Sequence, residues 1–138
     1  MKEICYLCRE RQLIKTTEYS NFIESVNYKV QEKIDYVTDI LIQSPVVNAK
    51  FVKKLEKTVF YEMRLSVNGN EYRVILFPVD HPNIMQATQV ILLNGFLKKG
   101  TKDYKAQIAI ANNIIKRLST NDETNNRYEK TIQSGNGQ

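Results

Sequence analysis

The sequence is poor in the residues that most metal and redox sites need. It holds a single histidine, His81, and two cysteines, Cys5 and Cys8, spaced as one CxxC. A structural zinc site usually takes about four ligands, from two such pairs or from a CxxC with two histidines. No second pair and no second histidine exist here, so no metal site is expected. A thioredoxin-like CxxC should open a helix after a strand. ICYLC reads instead as a strand, which sends the two thiols to opposite faces, and they read as structural. No Ser-His-Asp set, Gly-rich phosphate loop or HExxH pattern occurs, and no internal repeat. No apolar run approaches the roughly eighteen residues of a membrane span. The N-terminal MKEICYLCRERQ is apolar too briefly, and charged too soon, for a signal peptide. A cytoplasmic protein without a membrane partner is expected.

What is there suits a one-domain soluble protein. The chain has 138 residues, 42% of them hydrophobic and 25% charged, enough for a modest core. Net charge is +5, from 20 cations against 15 acids. Over residues 61–118 there are eight cations (Arg64, Arg73, Lys98, Lys99, Lys102, Lys105, Lys116, Arg117) and four acids (Glu62, Glu71, Asp80, Asp103). A basic surface of this kind suits RNA, DNA or an acidic protein, and sign alone does not choose among them.

Periodicity predicts the elements. Residues 58–67 alternate, with Val59, Tyr61, Met63 and Leu65 on one face and Phe60, Glu62, Arg64 and Ser66 on the other. Asn68-Gly69 then supplies the residues of a type I′ hairpin turn. Residues 72–79 return and 87–96 make a third run, so the three form an antiparallel meander. A first short strand is expected at 3–7, ended by Arg9-Glu10-Arg11. Thr16-Thr17-Glu18 resembles a helix start. Phe22, Val26, Val30, Ile34, Val37 and Leu41 follow at spacings of three and four. With a break at Asn27-Tyr28, this predicts a helical hairpin over 17–26 and 28–43, stopped by Ser44-Pro45. Residues 46–57 form a basic connector with a possible helical turn. Residues 105–118 read as a last helix, with Lys116-Arg117 near its negative end. The predicted order is β-α-α-β-β-β-α, an α+β domain over residues 1–118 with helices on one face of an antiparallel sheet. Residues 119–138 are polar and ought to be a disordered tail.

Several polar groups converge on the meander. Glu62 and Arg64 share a strand face, Arg73 lies across the hairpin, and Lys98, Lys99 and Tyr104 sit at the exit of the third strand. Such a set can cleave RNA: Glu62 as base for the 2′-hydroxyl, cations for the phosphorane, an acid or cation for the leaving 5′-oxygen. Arginine matches phosphate oxygens with its planar fork. From spacing alone the simpler reading prevails, with a surface ion pair at Glu62 and Arg64, a solvated turn at Lys98-Lys99 and a helix cap at Tyr104. His81, in the loop DHPN, reads as incidental.

The strings KLEKTVFYEMR, EYRVILF and VILLNGFLKKGTKDY, followed by a helix with QIAIA, resemble the RelE/ParE superfamily of bacterial toxins. The nearest likeness is to its HigB-like, phage-derived branch. The resemblance spans about residues 2–118 and is concentrated in 55–111. It implies the toxin of a type II toxin–antitoxin pair, an endoribonuclease that cuts messenger RNA in the ribosomal A site with the substrate's 2′-hydroxyl as nucleophile. It implies no metal and no cofactor. Carried over, Glu62 falls where relatives place a base or another polar group, and Arg64 and Arg73 match phosphate-binding cations. Lys98 or Lys99 matches the cation after the strand, and Tyr104 the aromatic beyond it. Lys50, Lys53, Lys54, Lys57, Lys102 and Lys105 are candidate contacts to RNA or ribosome. Several relatives use a histidine near the site; this chain has none in the matching segment. The implied partners are the ribosome with its messenger RNA and a separate antitoxin of helix-turn-helix type, through which alone the complex would meet DNA. The nuclease reading expects Glu62 and Arg73 exposed in one basic cleft. A ParE-like inhibitor of a topoisomerase, acting through the helical hairpin, and an inactive RNA- or protein-binding module stand as alternatives.

Overall fold

The structure, a computed structural model, describes residues 10–136, with side chains as far as 120. The chain runs β1 (Gln12–Lys15), α1 (Thr17–Ser25), α2 (Tyr28–Gln43), β2 (Val52–Lys54), β3 (Tyr61–Val67), β4 (Asn70–Pro78), β5 (Gln89–Lys98) and α3 (Lys102–Asn136). The strands form one five-stranded sheet in the order β1-β5-β4-β3-β2. The meander is present. β3 and β4 pair antiparallel from Tyr61↔Leu76 to Val67↔Asn70, and β4 and β5 pair antiparallel beside them. The turn between β3 and β4 has φ 52° at Asn68 and 81° at Gly69, positive at both central positions as type I′ demands.

Two strands differ from expectation. The strand expected at 3–7 lies outside the described residues, as do Cys5 and Cys8. The first described strand, β1, follows Arg11 directly and pairs parallel with β5, so the sheet is mixed rather than antiparallel throughout. Its residues Gln12 to Lys15 leave only Leu13 partly covered by the core, too little alternation to announce a strand. β2 arises where a connector was expected. It holds three residues, VKK, of which Val52 alone is buried.

The helical hairpin matches its periodicity. Val30, Ile34, Val37 and Leu41 line the buried side of α2 against Met63, Leu65, Val74, Leu76, Val90 and Leu92 of the sheet. Thr16 caps α1 by accepting from the Tyr19 N–H, Val26 ends that helix in an extended conformation, and Asn27 caps α2 by accepting from the Val30 N–H. The Phe22 ring fills the space a Cβ on Gly95 would need, so α1 sits close on β5 because that position is glycine.

Helices cover both faces, not one. Phe60, Ile75, Ile91, Leu93 and Phe96 point to the opposite face and meet Ala111 and Ile114 of α3. The β4–β5 register shifts beside Ile75, which faces Asn94 while Leu76 faces Leu92. Leu93 is left without a partner and turns into this second cluster, as a bulge allows. The last helix begins before residue 105 and passes 118, reaching Asn136. No glycine or proline interrupts it between Gly100 and Gly135, so nothing local stops it. Lys116 and Arg117 lie within the helix rather than at its end, and Arg117 pairs with Glu18 of α1 at 2.6 Å. The helical backbone thus continues into the segment read as a disordered tail. Among the described residues no helix is long and apolar enough to cross a membrane.

A buried arginine closes one end of the sheet. Arg11 is 5% exposed, and its guanidinium donates to the carbonyls of Leu41, Ser44 and Pro45 at the end of α2 and to those of Ile84 and Met85. The acceptors are all backbone oxygens, that of Leu41 in the last turn of α2 and that of Ser44 at its C-cap, where carbonyls lack a partner within the helix. Burial lowers the Arg11 pKa from its usual value. Near the same end, Asp80 accepts from the Thr88 and Gln89 N–H groups and the Thr88 hydroxyl. These bonds, that of the Thr88 hydroxyl foremost, hold the exposed Asp80 down at about 2 from an ordinary 3.8.

Replacing Arg11 with methionine leaves those carbonyls without a donor and should cost about 2–4 kcal/mol in urea unfolding. The Asp80 pKa is lowered on folding, so its contribution is present above the unfolded value and is lost as pH falls from about 3.8 towards about 2. Asp80→Asn should flatten the acid limb of a stability–pH profile in that window and leave the neutral limb parallel to wild type.

Candidate active site on the α3 face of the sheet

The even positions of β3 and the odd positions of β4 share the α3 face, which is why the polar groups of the meander meet. Arg64 lies directly opposite Arg73 in the β3–β4 register. Two like charges facing each other across strands repel. Glu62, one position along the same face, answers both: its Oε1 is 3.3 Å from Arg73 Nε and its Oε2 is 3.8 Å from Arg64 Nε. The first turn of α3 then lowers Tyr104 onto the pair. The Tyr104 hydroxyl donates to Glu62 Oε1 at 2.5 Å and accepts from Arg73 Nε at 3.0 Å. Arg73 also reaches Glu71 at 3.2 Å and the Tyr72 carbonyl at 2.9 Å.

The expected open cleft around Glu62 and Arg73 is not what the fold makes. Glu62 is 6% exposed and Arg73 only 2%, because Tyr104 lies over them and Phe96 supports the phenol edge-on with ring centroids 5.6 Å apart. Nor is Tyr104 merely a cap on its helix. Burial, then the bond to Glu62, raises the Tyr104 pKa, so the phenol stays protonated and donates. For Arg73, burial alone would lower the pKa, but the bonds to Tyr104 and Glu71 and the charge of Glu62 outweigh it and the net direction is up. Glu71 is held low, first by the Ser66 hydroxyl and then by Arg73.

Of the remaining expected residues, Lys98 joins the group, its Nζ 5.6 Å from the Tyr104 ring centroid. Lys99 does not: it is exposed, and its backbone N–H is bound by Asp103. Lys53 is the β2 register partner of Glu62 and is exposed beside it. Lys54 turns away to the carbonyls of Leu55 and Thr58. Lys57 occupies a turn at φ 63°. Lys102 and Lys105 are exposed on the first turns of α3. Lys50 lines a cleft of about 430 Å³ with Lys33, Tyr36, Phe51, Arg64, Ser66, Glu71 and Arg73. Arg64, with a third of its side chain exposed, therefore links the buried group to open solvent. Lys33, Tyr36 and Phe51 escaped the sequence reading. They lie on α2 and before β2, and only the packing of the hairpin brings them to the end of β3. Among the described residues no group of three or more His, Cys, Asp or Glu side chains gathers as a metal site.

A model of the family described as "Phage derived protein Gp49-like (DUF891)" matches residues 21–116. The structure is similar to that of the E. coli toxin RelE, solved in the free state with two arginines replaced by alanine. The TM-score is 0.52 and the identity 14%, over 70% of this chain and 92% of that one. No curated protein matches the sequence.

Removing the Tyr104 hydroxyl takes one partner each from Glu62 and Arg73. Tyr104→Phe should fold and lose about 1–2 kcal/mol in chemical denaturation. Arg73→Ala leaves the buried Glu62 short of its nearest cation and should lose about 3–5 kcal/mol. Equal small losses would mean that the network is not a stabilising unit.

Proposed function

Because the chain belongs to the phage-derived Gp49-like family and shares the fold of the toxin RelE, we propose that it is a toxin of the RelE/ParE superfamily, the toxin of a type II toxin–antitoxin pair, and cuts messenger RNA on the ribosome. The observation that carries this reading is one carboxylate, Glu62, bound at once to Arg64, Arg73 and Tyr104 on a RelE-like sheet. In the proposed reaction the 2′-hydroxyl attacks the adjacent phosphorus and the bond to the 5′-oxygen breaks, leaving a 2′,3′-cyclic phosphate. Arg64, the accessible cation, contacts the scissile phosphate, where a fixed guanidinium stabilises the charge that grows in the transition state. Arg73, held by Glu71 and Tyr104, supplies positive charge from behind. Glu62 is the base once the seated RNA draws Tyr104 away from it, and until then it orients both arginines. Lys98, beside Tyr104, stands nearest to serve the departing 5′-oxygen. The exposed Lys50, Lys53, Lys102 and Lys105 would contact RNA or ribosome. A helix-turn-helix antitoxin would cover the basic surface.

One observation favours a second reading. Both oxygens of Glu62 are engaged and the carboxylate is buried, as in a purely structural ion network. In a ParE-like inhibitor the network would hold the sheet, and the helical hairpin would meet a topoisomerase.

The deciding experiment is cleavage of a messenger RNA on purified translating ribosomes, with Arg64→Ala beside wild type. Arg64 is preferred to Arg73 because its loss leaves the buried pair intact. Cuts in the A site by wild type, reduced on the order of 100-fold or more in Arg64→Ala, are expected. A folded wild type that arrests growth and cuts nothing would move the assignment to the topoisomerase reading.

A further inference from the structure

The cleft beside Arg64 does not end there. A second hollow of about 440 Å³, which includes Lys29 and Glu32, shares Lys33, Tyr36 and Ser66 with the first. The two make one groove between α2 and the end of β3. It exists because β2 pairs only with Tyr61 to Met63, which leaves the last residues of β3 without a strand on that side. Lys29, Lys33, Lys50 and Arg64 supply four cations along it. Against them stand Glu32 and Glu71, and Glu71 is already taken up by Ser66 and Arg73.

At the middle of the groove is an aromatic platform. Tyr36 is 56% exposed and is braced edge-on by Phe51, with centroids 6.2 Å apart at 73°. Lys33 Nζ lies 5.3 Å from the Tyr36 centroid and Lys50 Nζ 5.0 Å from that of Phe51. Cations alone would suit any polyanion. A large exposed ring, held in place by a second ring and flanked by ammoniums, suits an unstacked base between phosphates. We propose that this groove binds a single-stranded RNA segment that flanks the scissile phosphate, with a base on Tyr36 and phosphates on Lys33 and Lys50. The proposal rests on the nuclease reading for its substrate but not for its test.

That test is binding of a fluorescein-labelled, unstructured oligoribonucleotide to the full chain, read by anisotropy across a salt series without ribosomes. Tyr36→Ala should bind roughly ten-fold more weakly and Tyr36→Phe within about two-fold of wild type, since stacking needs the ring and not the hydroxyl. Lys33→Ala should reduce the slope of log K against log salt by about 0.7. Lys15→Ala, on β1 at the opposite edge of the sheet, should change neither. Absence of RNA binding by wild type, or unchanged binding in Tyr36→Ala and Lys33→Ala, overturns the proposal and leaves the groove to a protein partner. RNA held through Tyr36 by a chain that cuts nothing on ribosomes would refute the nuclease reading and keep the groove. Cleavage with RNA binding insensitive to Tyr36 would do the reverse.

Discussion

Two arginines face each other across the central hairpin, and the α3 face of the sheet is arranged to make that tolerable. Arg64 and Arg73 are direct register partners, a repulsive pairing if left alone. Glu62 bridges the two from the same strand, Glu71 adds a second carboxylate to Arg73, and Tyr104 satisfies the Glu62 carboxylate and the buried guanidinium together. A half-satisfied network of this kind would be worse than an apolar patch. The position of α3 is therefore tied to the charges beneath it: the helix must bring Tyr104 to that point, and Phe96 must support it. Below this polar cluster the same helix packs Ala111 and Ile114 on the apolar part of the face.

The network divides the face into a closed part and an open part. Arg73 and Glu62 are enclosed, while Arg64 looks out into the cleft bordered by α2. Electrostatics in the enclosed part are strong because water is scarce there. Arg64 therefore presents to solvent a guanidinium whose orientation is set by groups that solvent does not reach. Such preorganisation is what stabilising a developing phosphorane demands. It is also what a structural ion network looks like, and the difference lies in whether Tyr104 yields to a substrate.

The opposite face has a plainer logic. The α1–α2 hairpin lays its apolar stripe on the sheet, and Gly95 lets Phe22 come close. The hairpin's other consequence is the groove. α2 carries its solvent-facing Lys29, Lys33 and Tyr36 along the end of β3, where β2 is too short to intervene. The element that completes the core thus also borders the basic groove beside Arg64.

Local pattern was enough for much of this protein. Alternation in 58–67 with Asn68-Gly69 determined the hairpin, because side-chain direction has period two and positive φ at both turn positions is chemically selective. The apolar spacing with Thr16 and Asn27 determined the two helices and their caps. The shared face of Glu62 and Arg64, and the approach of Arg73, followed from the same alternation. Tertiary structure decided the rest. β1 and β2 are too short and too polar to signal themselves, and they exist because β5 and β3 offer edges to pair with. Whether Glu62 and Arg73 stand open or closed depended on where the first turn of α3 falls, a contact between residues 42 positions apart for Tyr104 and Glu62. The groove joins residues of α2 to those of β3, which only packing of the hairpin on the sheet brings together. Sequence pattern reports the direction of a side chain on its own element; what lies over that side chain is set by the other elements of the fold.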